Sequence, residues 1–104
     1  MTVITSDCFS TVMEPSNELI LQFTSYLLGA VTDNSDILII NPKEGLLKIQ
    51  EDLDIAIQLL DISMPEATYI EYSLNYDTDT DEFDFLPTNA FTQILVDKMR
   101  QIDP

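Results

Sequence analysis

Residues 68–86 read Thr68-Tyr-Ile-Glu-Tyr-Ser-Leu-Asn-Tyr-Asp-Thr-Asp-Thr-Asp-Glu-Phe-Asp-Phe-Leu86, and their pattern repeats every second residue. Thr68, Ile70, Tyr72, Leu74 and Tyr76 fall on one side of an extended chain, and Tyr69, Glu71, Ser73 and Asn75 on the other. Because successive side chains of a strand point to opposite faces, this alternation makes one face apolar. Phe83 and Phe85 alternate with Glu82 and Asp84 in the same way. Two such runs around a polar link predict a β-hairpin over residues 67–86 with its aromatics turned toward a core.

Upstream the period becomes helical. Pro15, Ser16, Asn17 and Glu18 form a helix start signal, since proline suits the first turn and a carboxylate there meets the positive end of the macrodipole. A step of about 100° per residue gathers Leu19, Ile20, Phe23, Tyr26, Leu27, Ala30 and Val31 on one broad side. This helix is predicted to run to about Val31, with Leu21 and Leu28 roughly opposite. Asn41 and Pro42 cap and open a second helix, in which Leu46, Ile49, Leu53, Ala56 and Leu60 form a seam that Ile57 widens. Ile55, Leu59 and Ile62 lie almost on its far side. Burial of both faces, between a sheet and another helix, is the expectation; a dimer or target contact is the alternative.

Between these helices Ile37-Leu-Ile-Ile40 reads as a buried strand, and residues 2–13, with Val3, Ile4, Phe9, Val12 and Met13, read as another. After Pro87, Thr88 or Asn89 can cap a last helix carrying Phe91, Ile94, Leu95, Met99 and Ile102 on one side. Lys98 and Arg100 stand near its C-terminal end, where cations are favoured. The predicted order is strand, helix, strand, helix, strand, strand, helix. Residues 1–104 are therefore expected to form a single acidic α+β domain, a small sandwich with about three helices on one face of a mainly antiparallel sheet.

Charge narrows the function classes. Four Lys or Arg stand against nineteen Asp or Glu, with no histidine, for a formal charge of −15. Residues 66–86 hold seven of the acids and no base, so the negative field is focused. Such a chain is repelled by nucleic-acid phosphates and by anionic membrane surfaces, which leaves neutral or basic partners. Hydrophobic residues make up 45% of the chain, too much for a disordered acidic tail. Cys8 is the single cysteine, so no intramolecular disulfide is possible. The first residues lack a basic and an apolar region of signal-peptide type, and a cytoplasmic location is expected.

Catalysis finds little support. Without histidine there is no side chain poised for proton transfer near neutral pH and none to activate Cys8. Gly29 and Gly45 make no phosphate-cradling loop. Paired acids could in principle hydrolyse a glycoside, but a chain this short leaves little room for a sugar cleft. Asp77, Asp79 and Asp81 match the first three positions of a calcium loop, but Glu82 occupies the turn-glycine position and Thr88 that of the bidentate glutamate. Neither a metal site nor a cofactor is expected. In an extended chain those three aspartates would point one way, about 6.8 Å apart. Such a row suits Arg and Lys side chains that normally grip phosphates.

The sequence therefore predicts a non-enzymatic acidic binding protein. Its first reading is an inhibitor or antagonist, a nucleic-acid mimic or immunity-type protein, that occupies a basic groove of a nuclease, repressor or defence effector. Asp77, Asp79, Asp81, Glu82 and Asp84 would carry the contact, supported by Glu51, Asp52 and Asp54 on the second helix. The alternative is an assembly or regulatory subunit, or a homodimer, that binds through apolar helix faces.

Overall fold

The computed structural model describes residues 13–102, and the strand expected over residues 2–13 falls almost wholly outside them. Helix α1 spans Asn17–Asp33 and begins where the sequence signals a start. The Ser16 hydroxyl accepts a hydrogen bond from Leu19 N at 3.1 Å, satisfying one of the first-turn amides that have no partner within the helix. Glu66 holds that cap from fifty positions away: Ser16 N donates to its Oε2 at 2.9 Å and Ser16 Oγ to its Oε1 at 2.6 Å. Leu19, Ile20, Phe23 and Ala30 form the buried stripe of α1.

Residues Ser35–Ile40 form a short helix, α2, and not the strand expected over 37–40. Tertiary contact explains the reversal. Only Leu38 of this helix is buried, and its backbone lies directly against Gly45 of the next helix. A strand here would find no strand neighbour among the described residues, whereas a helical turn closes Asn41 N onto Ile37 O at 2.7 Å.

Helix α3 covers Pro42–Ser63, with Pro42 in its first turn and Asn41 Oδ1 accepting from Glu44 N at 3.4 Å. Its buried residues, Gly45, Ile49, Leu53, Ala56 and Leu60, follow the predicted seam. The far side differs from expectation: Ile55, Leu59 and Ile62 are exposed. Among the described residues no second layer covers them: the sheet there has two strands, and their inward residues pack on the core.

A 3-10 turn, Pro65–Tyr69, follows, so the alternation at Thr68 and Tyr69 belongs to this turn rather than to a strand. Strands β1 (Tyr72–Asp77) and β2 (Glu82–Pro87) then form the predicted antiparallel hairpin. Tyr72, Leu74 and Tyr76 pair across with Pro87, Phe85 and Phe83 and face inward. Helix α4 spans Ala90–Ile102. Asn89 is its cap, accepting from Thr92 N at 2.8 Å while its own amide donates to Tyr69 O at 2.6 Å. Fully buried Thr92 accepts from Glu71 N at 2.8 Å, which ties α4 to the chain just before β1.

The α+β class holds: among the described residues four helices pack with a small two-stranded antiparallel sheet around one core. Leu19, Ile20, Phe23, Ile49, Leu53 and Leu95 are its fully buried centre. The inward aromatics close it on the hairpin side, with Phe23 and Phe85 edge to face at 5.7 Å and Tyr72 stacked on Phe85 at 5.1 Å.

Candidate acidic interface

The hairpin supplies two distinct faces. Inward positions are apolar, while Ser73, Asn75 and Asp77 of β1 face solvent together with Glu82, Asp84 and Leu86 of β2. Asp77 stands directly opposite Glu82, and Asn75 opposite Asp84. Three carboxylates therefore share one exposed surface, and Asp79 stands in the loop at its end.

Turn chemistry decides where the other acids go. Asp77 Oδ1 accepts from Asp79 N at 2.9 Å, an Asx turn that begins the loop, and Asp81 N donates to Asp77 O at 2.8 Å to close it. Asp81 has φ of 60°, a left-handed conformation that aspartate tolerates better than most residues. The Tyr76 hydroxyl, on the inward side of β1, donates to Asp81 Oδ1 at 2.9 Å. The straight row of Asp77, Asp79 and Asp81 expected from extended geometry does not form, because the chain reverses within it. The acidic surface consists instead of Asp77, Glu82 and Asp84, with Asp79 at the tip and Asp81 bonded back.

Of the three acids on α3, Asp54 is joined to the hairpin: its Oδ1 accepts from the Tyr72 hydroxyl at 2.5 Å. Asp52 turns the other way, with its Oδ2 accepting from the buried Asn34 side chain at 2.9 Å, which places it beside α1. Glu51 is exposed on the solvent side. Two tyrosines absent from the sequence-level site thus organise it. A tyrosine at each end of an inward strand face, with carboxylates on the following turn and on a facing helix, is the signal that could have found them.

Among the described residues no ion pair joins a cation to these acids, although Arg100 lines a crevice together with Asp84. The one ion pair among the described residues joins Lys98 to Glu14 at 3.2 Å. No group of three or more acidic or cysteine side chains among them could hold a metal ion. None of their helices is long and apolar enough to cross a membrane.

Compared with protein-family models, curated proteins and solved structures, the chain matches none of them. Its surface must be read from its own geometry.

Like charges directly opposite on neighbouring strands are destabilising. Glu82→Thr should therefore raise hairpin stability by about 0.2–1 kcal/mol, because it removes the repulsion from Asp77 and adds a β-branched residue. Chemical denaturation at low ionic strength reads this gain, and added salt should shrink it by screening the parent pair.

The tyrosines predict an alkaline transition. Burial, then the hydrogen bond to Asp54 and that carboxylate's charge, raise the Tyr72 phenol well above its ordinary value of 10.0. For Tyr76 the hydrogen bond to Asp81 leads, followed by burial and the Asp81 charge, again raising it. A raised folded value means that the unfolded chain releases its proton first. Stability from these phenols is thus complete below pH 10 and is lost as pH rises toward their folded values. Denaturant midpoints measured across that range should fall with pH, and Tyr72→Phe should flatten the fall; an equally steep decline in the variant would contradict the assignment.

Proposed function

We propose that the chain is a non-enzymatic acidic binding protein that acts as an inhibitor or antagonist, its hairpin occupying a basic groove of a nucleic-acid-handling protein such as a nuclease, repressor or defence effector. The observation that carries this reading is the outward hairpin face. Asp77, Glu82 and Asp84 share it, Asp79 extends it, and no cation among the described residues pairs with them. The cost of placing Asp77 opposite Glu82 also supports it, since a sequence selected for stability alone has no use for that repulsion. Carboxylates on a rigid strand pair can meet Arg forks in the geometry that phosphates would use. Direct nucleic-acid binding is excluded from the proposal by the same charge.

Affinity capture from the native host with the full chain, run beside a Asp77→Asn, Glu82→Gln, Asp84→Asn variant, is the test. The expected result is a basic nucleic-acid-handling protein that the parent retains and the variant loses. Its association rate should fall by about tenfold or more as salt rises, as electrostatic steering requires. Retention that ignores both the triple substitution and salt would sink the reading.

Assembly through apolar helix faces is the second reading, and one observation favours it: Ile55, Leu59 and Ile62 project from α3 uncovered.

A further inference from the structure

The uncovered side of α3 borders a groove. Ser25, Tyr26, Gly29, Ala30 and Asp33 of α1 face Asp52, Ile55, Ala56 and Leu59 of α3 across an open depression of about 370 Å³. Small residues make its floor. A Cβ built on Gly29 would meet no atom beyond its own stretch of helix within 4 Å, so that position opens into the groove. The walls are apolar and stand out of the surface: Tyr26 is 38% exposed, Ile55 and Leu59 each 57%, and Ile62, one turn beyond, 82%. Asp33 and Asp52 line the groove with no base among its lining residues. Lys48, one helical turn before Asp52, is the nearest base along α3.

We infer that this groove receives a basic amphipathic helix from a partner protein. The inference goes beyond the hairpin reading, uses a different surface, and gives the apolar reading an occupant. Between Asp52 and Ile62 the groove side of α3 runs about 15 Å, or close to three turns, at 1.5 Å per residue. That length takes one short helix whose apolar side chains recur at i, i+3/i+4 and i+7. A floor of Gly29, Ala30 and Ala56 lets the incoming backbone approach closely. Docking there would add a third helix beside the α1 and α3 pair and cover Tyr26, Ile55, Leu59 and Ile62.

Charge decides between possible occupants. A second copy would bring another −15 to a site already edged by Asp33 and Asp52. A helix with Lys or Arg flanking its apolar stripe is drawn to the same edge. The neighbouring crevice between α1, β2 and α4 is larger but is lined by Arg100 as well as Asp84, so it lacks this single-sign rim.

The test uses a synthetic helical peptide of leucine and lysine with leucines at i, i+3, i+4 and i+7. A scrambled peptide of equal composition and a leucine–glutamate counterpart serve as comparisons. Titrated into the full isotope-labelled chain, the first peptide should shift the amide signals of Tyr26, Gly29, Ile55 and Leu59, and bind at least tenfold more tightly than either comparison. Gly29→Leu should fill the groove, melt no lower than the parent and weaken binding tenfold or more. Leu59→Asp should do the same to binding from an exposed position, while Asp52→Asn should weaken it several-fold. The Asp77→Asn, Glu82→Gln, Asp84→Asn variant should bind the peptide as the parent does, which separates this inference from the hairpin reading. Equal binding of the scrambled peptide, shifts confined to the hairpin or the α4 crevice, or a dimer that Leu59→Asp dissociates would each overturn it.

Discussion

Phe23→Ala should lower the free energy of unfolding by about 3–5 kcal/mol, the cost of emptying a fully packed aromatic site. Phe23 is the largest fully buried side chain of the described core, and its ring meets the edge of Phe85 at 5.7 Å. Phe85 in turn stacks on Tyr72, whose hydroxyl reaches Asp54 on α3. Removing Phe23 therefore leaves a void in the helical core and withdraws the surface against which the hairpin rests. A domain of this size has roughly 5–15 kcal/mol in total, so the variant should be partly unfolded at 37 °C. Calorimetry reads the loss directly, and Phe23→Leu, which refills much of the space, should recover a large part of it. A shift of only a degree or two in the alanine variant would mean that the hairpin and helices are not joined through this residue.

The second large effect is expected at Gly45. A Cβ there would meet Leu38 Cα and would lie 2.6 Å from Leu38 N and 3.0 Å from Ile37 C, all backbone atoms that cannot rotate aside. Gly45→Ala gains about 1 kcal/mol in helix propensity. Separating α2 from α3 costs more, about 1–3 kcal/mol or above, because overpacking displaces whole elements. A net loss of up to about 2 kcal/mol is the expected outcome in denaturant titration. Gly29 provides the opposite sign: with open space at its Cβ, Gly29→Ala should stabilise the protein by about 1 kcal/mol. The same substitution at the two glycines of one chain should thus move stability in opposite directions, and parallel changes would show that propensity, not close approach, governs both.

These glycines mark where sequence reasoning stops. Pattern identifies elements long enough to display a period: α1, α3 and α4 emerge from their apolar spacing, and the hairpin from alternation on both sides of a polar link. Ile37 to Ile40 is too short to reveal any period, and β-branched content alone favoured a strand. What made it helical was Leu38 settling on Gly45, a contact between backbones that no residue pattern announces. Ile55, Leu59 and Ile62 were recognisable as a second apolar face, but whether anything covers such a face depends on how many strands the sheet has.

The acidic surface divides in the same way. Its composition was plain from residues 66–86, and Glu82 and Asp84 fall on the outward side that alternation assigns them. The arrangement of Asp77, Asp79 and Asp81 was not, because equal spacing in sequence becomes equal spacing in space only while the chain stays extended. An Asx turn and a left-handed residue intervene within five positions. Asp54 and Asp52, two positions apart on one helix, part company because a helix turns about 200° between them.

The Tyr72–Asp54 bond also has a spectroscopic consequence. The chain contains no tryptophan and four tyrosines, so its near-ultraviolet emission comes from phenols alone. A phenol hydrogen-bonded to a carboxylate emits weakly, and Tyr72 is held that way only while β1 rests on α3. Lifting the strands away should brighten the protein without any added dye, which makes this side chain an optical gauge of whether the hairpin is seated.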